Sequence, residues 1–121
     1  MKKLLVVLFL LTSALSWANP AEKAVNKQYL KIYGMCDNCD LTKIDFSKID
    51  FLPGVKLTSM RYSDLTDASL RGLSLINVDF TGSNLTRADL SYTNLDSAVM
   101  KDTIREGTNF KGANTINILL K

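Results

Sequence analysis

Histidine is absent from this 121-residue chain, and cysteine appears only twice. Without imidazole there is no Ser/His/Asp or Cys/His nucleophile pair and no histidine metal ligand, which removes the commonest routes to hydrolysis and zinc chemistry. Two cysteines cannot by themselves complete a four-ligand zinc site. Long apolar runs are lacking as well: Leu4 to Leu11 (LLVVLFLL) is too short to cross a bilayer of about 30 Å as a helix. Nor does either sign of charge dominate, with 15 basic and 12 acidic residues. One small domain of balanced charge is the starting expectation.

What is present begins with an address. Lys2 and Lys3 precede the apolar run, and Ser16-Trp17-Ala18 supplies small residues at the −3 and −1 subsites of a signal peptidase. Residues 1–18 are therefore expected to be a signal peptide cut after Ala18, placing the mature chain in the periplasm or outside the cell. No cysteine follows the cut, so a lipoprotein is not indicated. Losing Lys2 and Lys3 leaves 13 basic against 12 acidic groups and a net charge of +1. Such a surface predicts neither nucleic-acid binding nor mimicry of a polyanion.

Residues 19–34 are expected to form a short N-terminal capping helix. PAEKAVNKQYLKIY, from Pro20 to Tyr33, is rich in helix formers, with Pro20 suited to the first turn, Glu22 near the positive end of the dipole and Gly34 as the stop. Ala21, Val25, Tyr29 and Ile32 fall near one face. So short a helix is marginal alone and should dock elsewhere, as a cap over an open core or as a partner-binding helix.

Beyond Tyr33 the helix and strand periods give way to a period of five. Every fifth residue from Val55 (Met60, Leu65, Leu70, Leu75, Phe80, Leu85, Leu90, Leu95, Met100, Arg105, Phe110, Thr115 and Leu120) gives 12 large apolar residues in 14, where the composition would give about six or seven. Two residues earlier, 11 of 14 positions are Ala, Ser, Thr or Val. Directly before the large residue stand turn formers such as Asp64, Asp79, Asn84, Asp89, Asn94, Asn109 and Asn114, able to accept hydrogen bonds from nearby amides.

Ala88-Asp89-Leu90, Thr93-Asn94-Leu95, Ser83-Asn84-Leu85 and Ala113-Asn114-Thr115 resemble the motif of the pentapeptide-repeat family, roughly A-(D/N)-L-x-x. The resemblance runs from about Cys39 to the C-terminus. It implies an all-β fold over residues 35–121, a right-handed quadrilateral β-helix of four to five coils, with the large residue and the small one two before it facing inward. On that plan Leu41, Phe46, Phe51, Leu65, Leu70, Leu75, Phe80, Leu85, Leu90, Leu95, Met100 and Phe110 form the core. Residues twenty apart become vertical neighbours: Leu70 with Leu90 and Phe110, and Met60 with Phe80 and Met100. Coils stacked at about 4.8 Å would build a tower on the order of 20 Å tall. A narrow square coil has room for one large and one small side chain per face, which is the pattern seen.

The period has defects. The block Cys39-Asp40-Leu41, Ile44-Asp45-Phe46, Ile49-Asp50-Phe51 lies one residue out of phase with Val55 onward, so a one-residue deletion near Phe51-Leu52-Pro53-Gly54 would join the two at a distorted corner. Either Val55 or Leu57 could be the inward residue there. Arg105 stands in a core slot, where a guanidinium is costly, so the coil from Thr103 to Gly107 is expected to bulge and bring in Ile104. Extending the repeat backward puts Cys36 in a large slot and Cys39 in a small one. Export and the flanking Asp37 and Asp40 favour a structural disulfide pinning the cap to the first coil; a buried thiol pair and redox or metal chemistry are the other readings.

Three roles follow from different classes. The first is a non-enzymatic exported scaffold or binding module for an unidentified protein partner, with Leu57, Ile76 and Ile116 as outward apolar residues on the Leu75–Leu95 face and a homodimer through an end or an apolar face as one assembly. End-capping is the plainer reading of Ile118-Leu119-Leu120. The second is borrowed from the family, some members of which mimic duplex DNA and bind gyrase through a strongly acidic surface in the cytoplasm; charge and export both depart from that. The third is thiol–disulfide exchange through Cys36 and Cys39. Carboxylates occur only at turn positions, so no catalytic residue, cofactor or metal site is assigned, and no membrane contact is expected after signal cleavage. Asp67 and Arg87 are expected to pair across adjacent coils.

Overall fold

The computed structural model describes residues 20–121; the expected signal peptide, residues 1–18, lies outside the described residues. Helix α1 spans Pro20–Tyr33 and stops at Gly34, which has φ 67° and donates its N–H to the Leu30 carbonyl at 2.9 Å. A Cβ at Gly34 would lie 1.9 Å from the Lys56 carbonyl oxygen, so only glycine allows both the left-handed stop and this approach. The buried face of α1 differs from the expected one. Asn26 and Leu30, four residues apart, are fully buried, while Val25, Tyr29 and Ile32 are half-buried. The stripe is shifted because Leu30 packs into the apolar core and the Asn26 carbonyl faces Cys36 Sγ at 3.7 Å.

From Met35 onward the backbone makes single-residue parallel bridges, most of them on the residue before a large inward one. Nine of them join residues twenty apart, among them Ser69 to Asp89 and Asp89 to Asn109. Leu70 N–H donates to Asp89 and Leu90 N–H to Asn109, both at 2.8 Å, so Leu70, Leu90 and Phe110 share one column as expected. Met60, Phe80 and Met100 share another, through Ser59, Asp79 and Val99. The chain thus returns to the same place every twenty residues, with four bridge positions per circuit.

The corners follow one rule. The second residue after each large one, from Tyr62 to Asn117, has φ between 54° and 74° in all twelve units. Eight of the twelve are Gly, Asn or Asp, the residues that enter the left-handed region most readily. Its N–H donates to the next circuit, as Asp67 does to Thr86 at 3.0 Å and Arg87 to Glu106 at 2.8 Å. Outside, the Asp or Asn before the large residue accepts from the amide two residues on: Asp64 from Thr66, Asp79 from Thr81, Asn84 from Thr86 and Asp89 from Ser91.

Ten of the twelve expected core residues are fully buried. Phe51 and Phe110 are half-buried instead, Phe51 because its ladder lapses and Phe110 because no circuit lies above it. Arg105 forces no bulge. Its neighbour Ile104 keeps the outward bridge position opposite Asn84, and Arg105 is exposed at the open end, where its charge stays in water. Nor do the last residues fold over that end: Leu119 continues the ladder opposite Val99, and Leu119 and Leu120 remain 52% and 49% exposed.

The first circuit is longer than the others. Met35, Asp40 and Asp45 bridge Ser59, Asp64 and Ser69 at a separation of 24 residues, one short of five pentapeptides, which accounts for the phase slip. Pro53 explains where the slip falls. Two residues after Phe51, its position calls for positive φ and an N–H donor, and proline supplies neither. The chain swings out at Leu52-Pro53-Gly54, all exposed, and re-enters at Ser59. Neither expected register is regular there: Leu57 packs against the core, and Val55 stays half-buried beside it.

Candidate functional site

This excursion opens a cleft of about 570 Å³ between the first and second circuits. Its lower wall is Phe51, Val55, Lys56, Leu57 and Thr58; its upper wall is Leu73, Ser74, Ile76 and Asn77. The size and the mostly apolar lining with a few polar groups fit a ligand-binding recess. Of the three residues expected at an interface, Leu57 and Ile76 meet here. Leu57 is not an outward residue of the Leu75–Leu95 face, because the excursion turns it toward the core. Ile116 does not join them: it lies two circuits above Ile76, with Asp96 between. Thr58, Leu73 and Ser74 were not singled out from sequence. The signal that could have found them is Pro53, since a proline in the one position needing a left-handed donor must break the ladder above it.

Cys36 and Cys39 are buried in the slots expected of them. Their sulfurs lie in bonding contact, with Cα atoms 5.7 Å apart. Cys39 sits beneath Ser63, whose hydroxyl accepts from Cys39 N–H at 3.0 Å and donates to the Cys36 carbonyl at 2.7 Å. The pair lies at a corner of the first circuit, with Cys36 Sγ 3.7 Å from the Asn26 carbonyl of α1 and both cysteines in the same apolar cluster as Leu30.

The other polar groups are largely absorbed locally. Asp37 takes Arg61 Nη2 at 3.0 Å and also bonds Ser59, and Asp67 and Arg87 form the expected two-bonded pair at 2.8 and 3.0 Å. The Ser47 hydroxyl and amide hold Asp45 below the usual carboxylate range; the Arg87 guanidinium does so for Asp67, and Ser91 for Asp89. Arg71 lies over the Tyr92 ring at 4.5 Å and donates to Ser91. Each carboxylate so engaged is explained by its own turn or by the circuit beside it.

The family model for pentapeptide repeats matches residues 63–102 in eight copies. Among solved structures the chain is similar to HetL, a pentapeptide repeat protein involved in heterocyst differentiation regulation from the cyanobacterium Nostoc sp. strain PCC 7120. The identity is 27% and the TM-score 0.51, over 75% of this chain and 38% of that one. A pentapeptide repeat protein from the Arabidopsis thaliana thylakoid lumen matches at 24% identity and TM-score 0.26, over 83% and 70%. Rfr23 of the cyanobacterium Cyanothece 51142 matches at 18% and 0.28, over 81% and 99%. No curated protein matches. The repeat class defines a right-handed β-helix. Residues 63–102 carry pentapeptide repeats, as the five-residue period there implied; this chain covers 38% of the length of HetL.

Proposed function

We propose that the mature protein is an exported, non-enzymatic binding module, a four-sided rigid post capped at one end by α1, which presents the cleft to a protein partner in the periplasm or outside the cell. The observation that carries this reading is the contrast between a solenoid whose polar groups are largely bonded locally and a recess where Ser74, Lys56 and apolar side chains are left facing solvent. Buried deeply at a corner, Cys36–Cys39 serves as a staple that stiffens the post.

The test is a crosslinking pull-down from native envelope extracts with the mature protein, alongside fractionation and N-terminal sequencing. A specific partner, and a mature chain that begins at Asn19, are expected. Recovery of chaperones alone, or an uncleaved chain in the cytoplasm, defeats the reading.

A further inference from the structure

We propose that the cleft takes an extended polypeptide segment by strand addition to Ser74, with an aliphatic side chain between Leu57 and Ile76 and an acidic group against Lys56. This rests on the reading of the protein as a binding module and names the chemistry of its ligand. In the second circuit Ser59, Asp64 and Ser69 each bridge both the circuit below and the circuit above, whereas Ser74 bridges Asn94 alone. At Asp64 the N–H donates down to Cys39 at 2.9 Å and the carbonyl accepts from Leu41 at 2.8 Å; at Ser69 the partners are Ile44 and Phe46. The same groups of Ser74 meet no main-chain partner in the first circuit among the described residues. The carbonyl of Ile76 is left likewise, because the donor in its register would be Pro53.

The vacant edge therefore offers a donor and two acceptors at strand spacing, about 3.3 Å per residue, which is the pattern another extended backbone completes. Leu57 and Ile76, with Ile76 44% exposed, provide the apolar contact that selects a side chain. Charge selects the rest. Lys56 has no ion pair among the described residues, and no carboxylate lines the cleft with it. An acidic side chain or a C-terminal carboxylate on the segment is the complement.

Random linear peptides displayed on phage, panned against the oxidised protein, test this. Enriched sequences should pair an aliphatic residue with Asp, Glu or a free C-terminus. Methylating one backbone amide of a synthetic copy should weaken it about tenfold or more, the loss of a hydrogen bond at a desolvated edge. Amide exchange at Ser74, faster than at Asp64 or Ser69 in the free protein, should slow by a similar factor when that peptide binds. Removing Leu52 to Val55 together with Leu57→Asn brings the first circuit from 24 residues to the regular 20; Ser74 should then be protected without peptide, and binding lost. Should that variant not fold, Ile76→Lys, a change at an exposed site, should abolish binding at unchanged Tm. No enrichment over empty beads, indifference to methylation at every position, or full binding by a folded shortened variant or by Ile76→Lys overturns the proposal. Such a failure with an envelope partner still captured removes the strand-addition site and leaves the binding module; failure of both removes both.

Discussion

Residues 59–118 and residues 50–58 are built by one chain under one rule, and they differ in whether the rule can be obeyed. In the longer stretch every corner has a residue of positive φ, and most of those residues pass an N–H to the circuit above. At Pro53 both requirements fail together, and the result is an excursion that leaves Phe51 half-buried and Ser74 bridged on one side only. Regularity in this fold thus depends on the corners as much as on the leucines. A solenoid bonded on every rung has little to offer a partner along its sides, whereas one broken corner exposes backbone and apolar surface together.

The contrast can be broken most easily in the core. Leu90→Ala, in the middle of a complete column, should cost about 3 kcal/mol, and Phe51→Ala about half as much, since its site is already partly open. Equal losses in urea unfolding would mean that the first circuit is as tightly packed as the rest. Corner chemistry comes next. A Cβ at Gly82 would lie 2.4 Å from the Tyr62 ring, while at Gly72 it meets nothing within 4 Å, and both have positive φ. Gly82→Ala should therefore cost about 2 kcal/mol and Gly72→Ala about 1; a Tm order reversed between them contradicts the ring-over-glycine packing. Ser83 Oγ is buried with no partner, in a slot that Ala68 and Ala88 fill elsewhere, so Ser83→Ala should gain about 1 kcal/mol. A loss on calorimetry would reveal a bond at that hydroxyl.

Acid should give the smallest effect. Asp45 in the first circuit and Asp67 and Asp89 in the regular ones have folded pKa values below the ordinary 3.8. Their contribution is complete above that value and is lost as pH falls through the lower folded values, so the urea midpoint should be level from neutral pH down to about 5 and drop below about 4. A midpoint that rises on acidification would show these carboxylates to be destabilising.

Much of this was legible in the residues, and particular ones show why the rest was not. Leu70, Leu90 and Phe110 declared their column because a five-residue period closes a four-sided circuit at twenty. The cysteine slots followed from the same counting, as did the Asp67–Arg87 pair. Arg105 misled because its cost was reckoned for a dry core, and linear order does not say that its circuit is the last one. The face of α1 was misjudged by one position, since a short helix has several nearly equal stripes and the partner surface chooses among them. Leu57 was read as outward for a similar reason: past a register break, counting no longer tells in from out.

Local chemistry alone was enough to decide the period, the inward residues and the turns, because each unit satisfies its own backbone and repeats the same solution. The cleft, the one-sided pairing of Ser74 and the exposed open end belong to the assembled molecule. They depend on which circuit lies above or below a given residue, and that neighbour is twenty or twenty-four positions away in the chain.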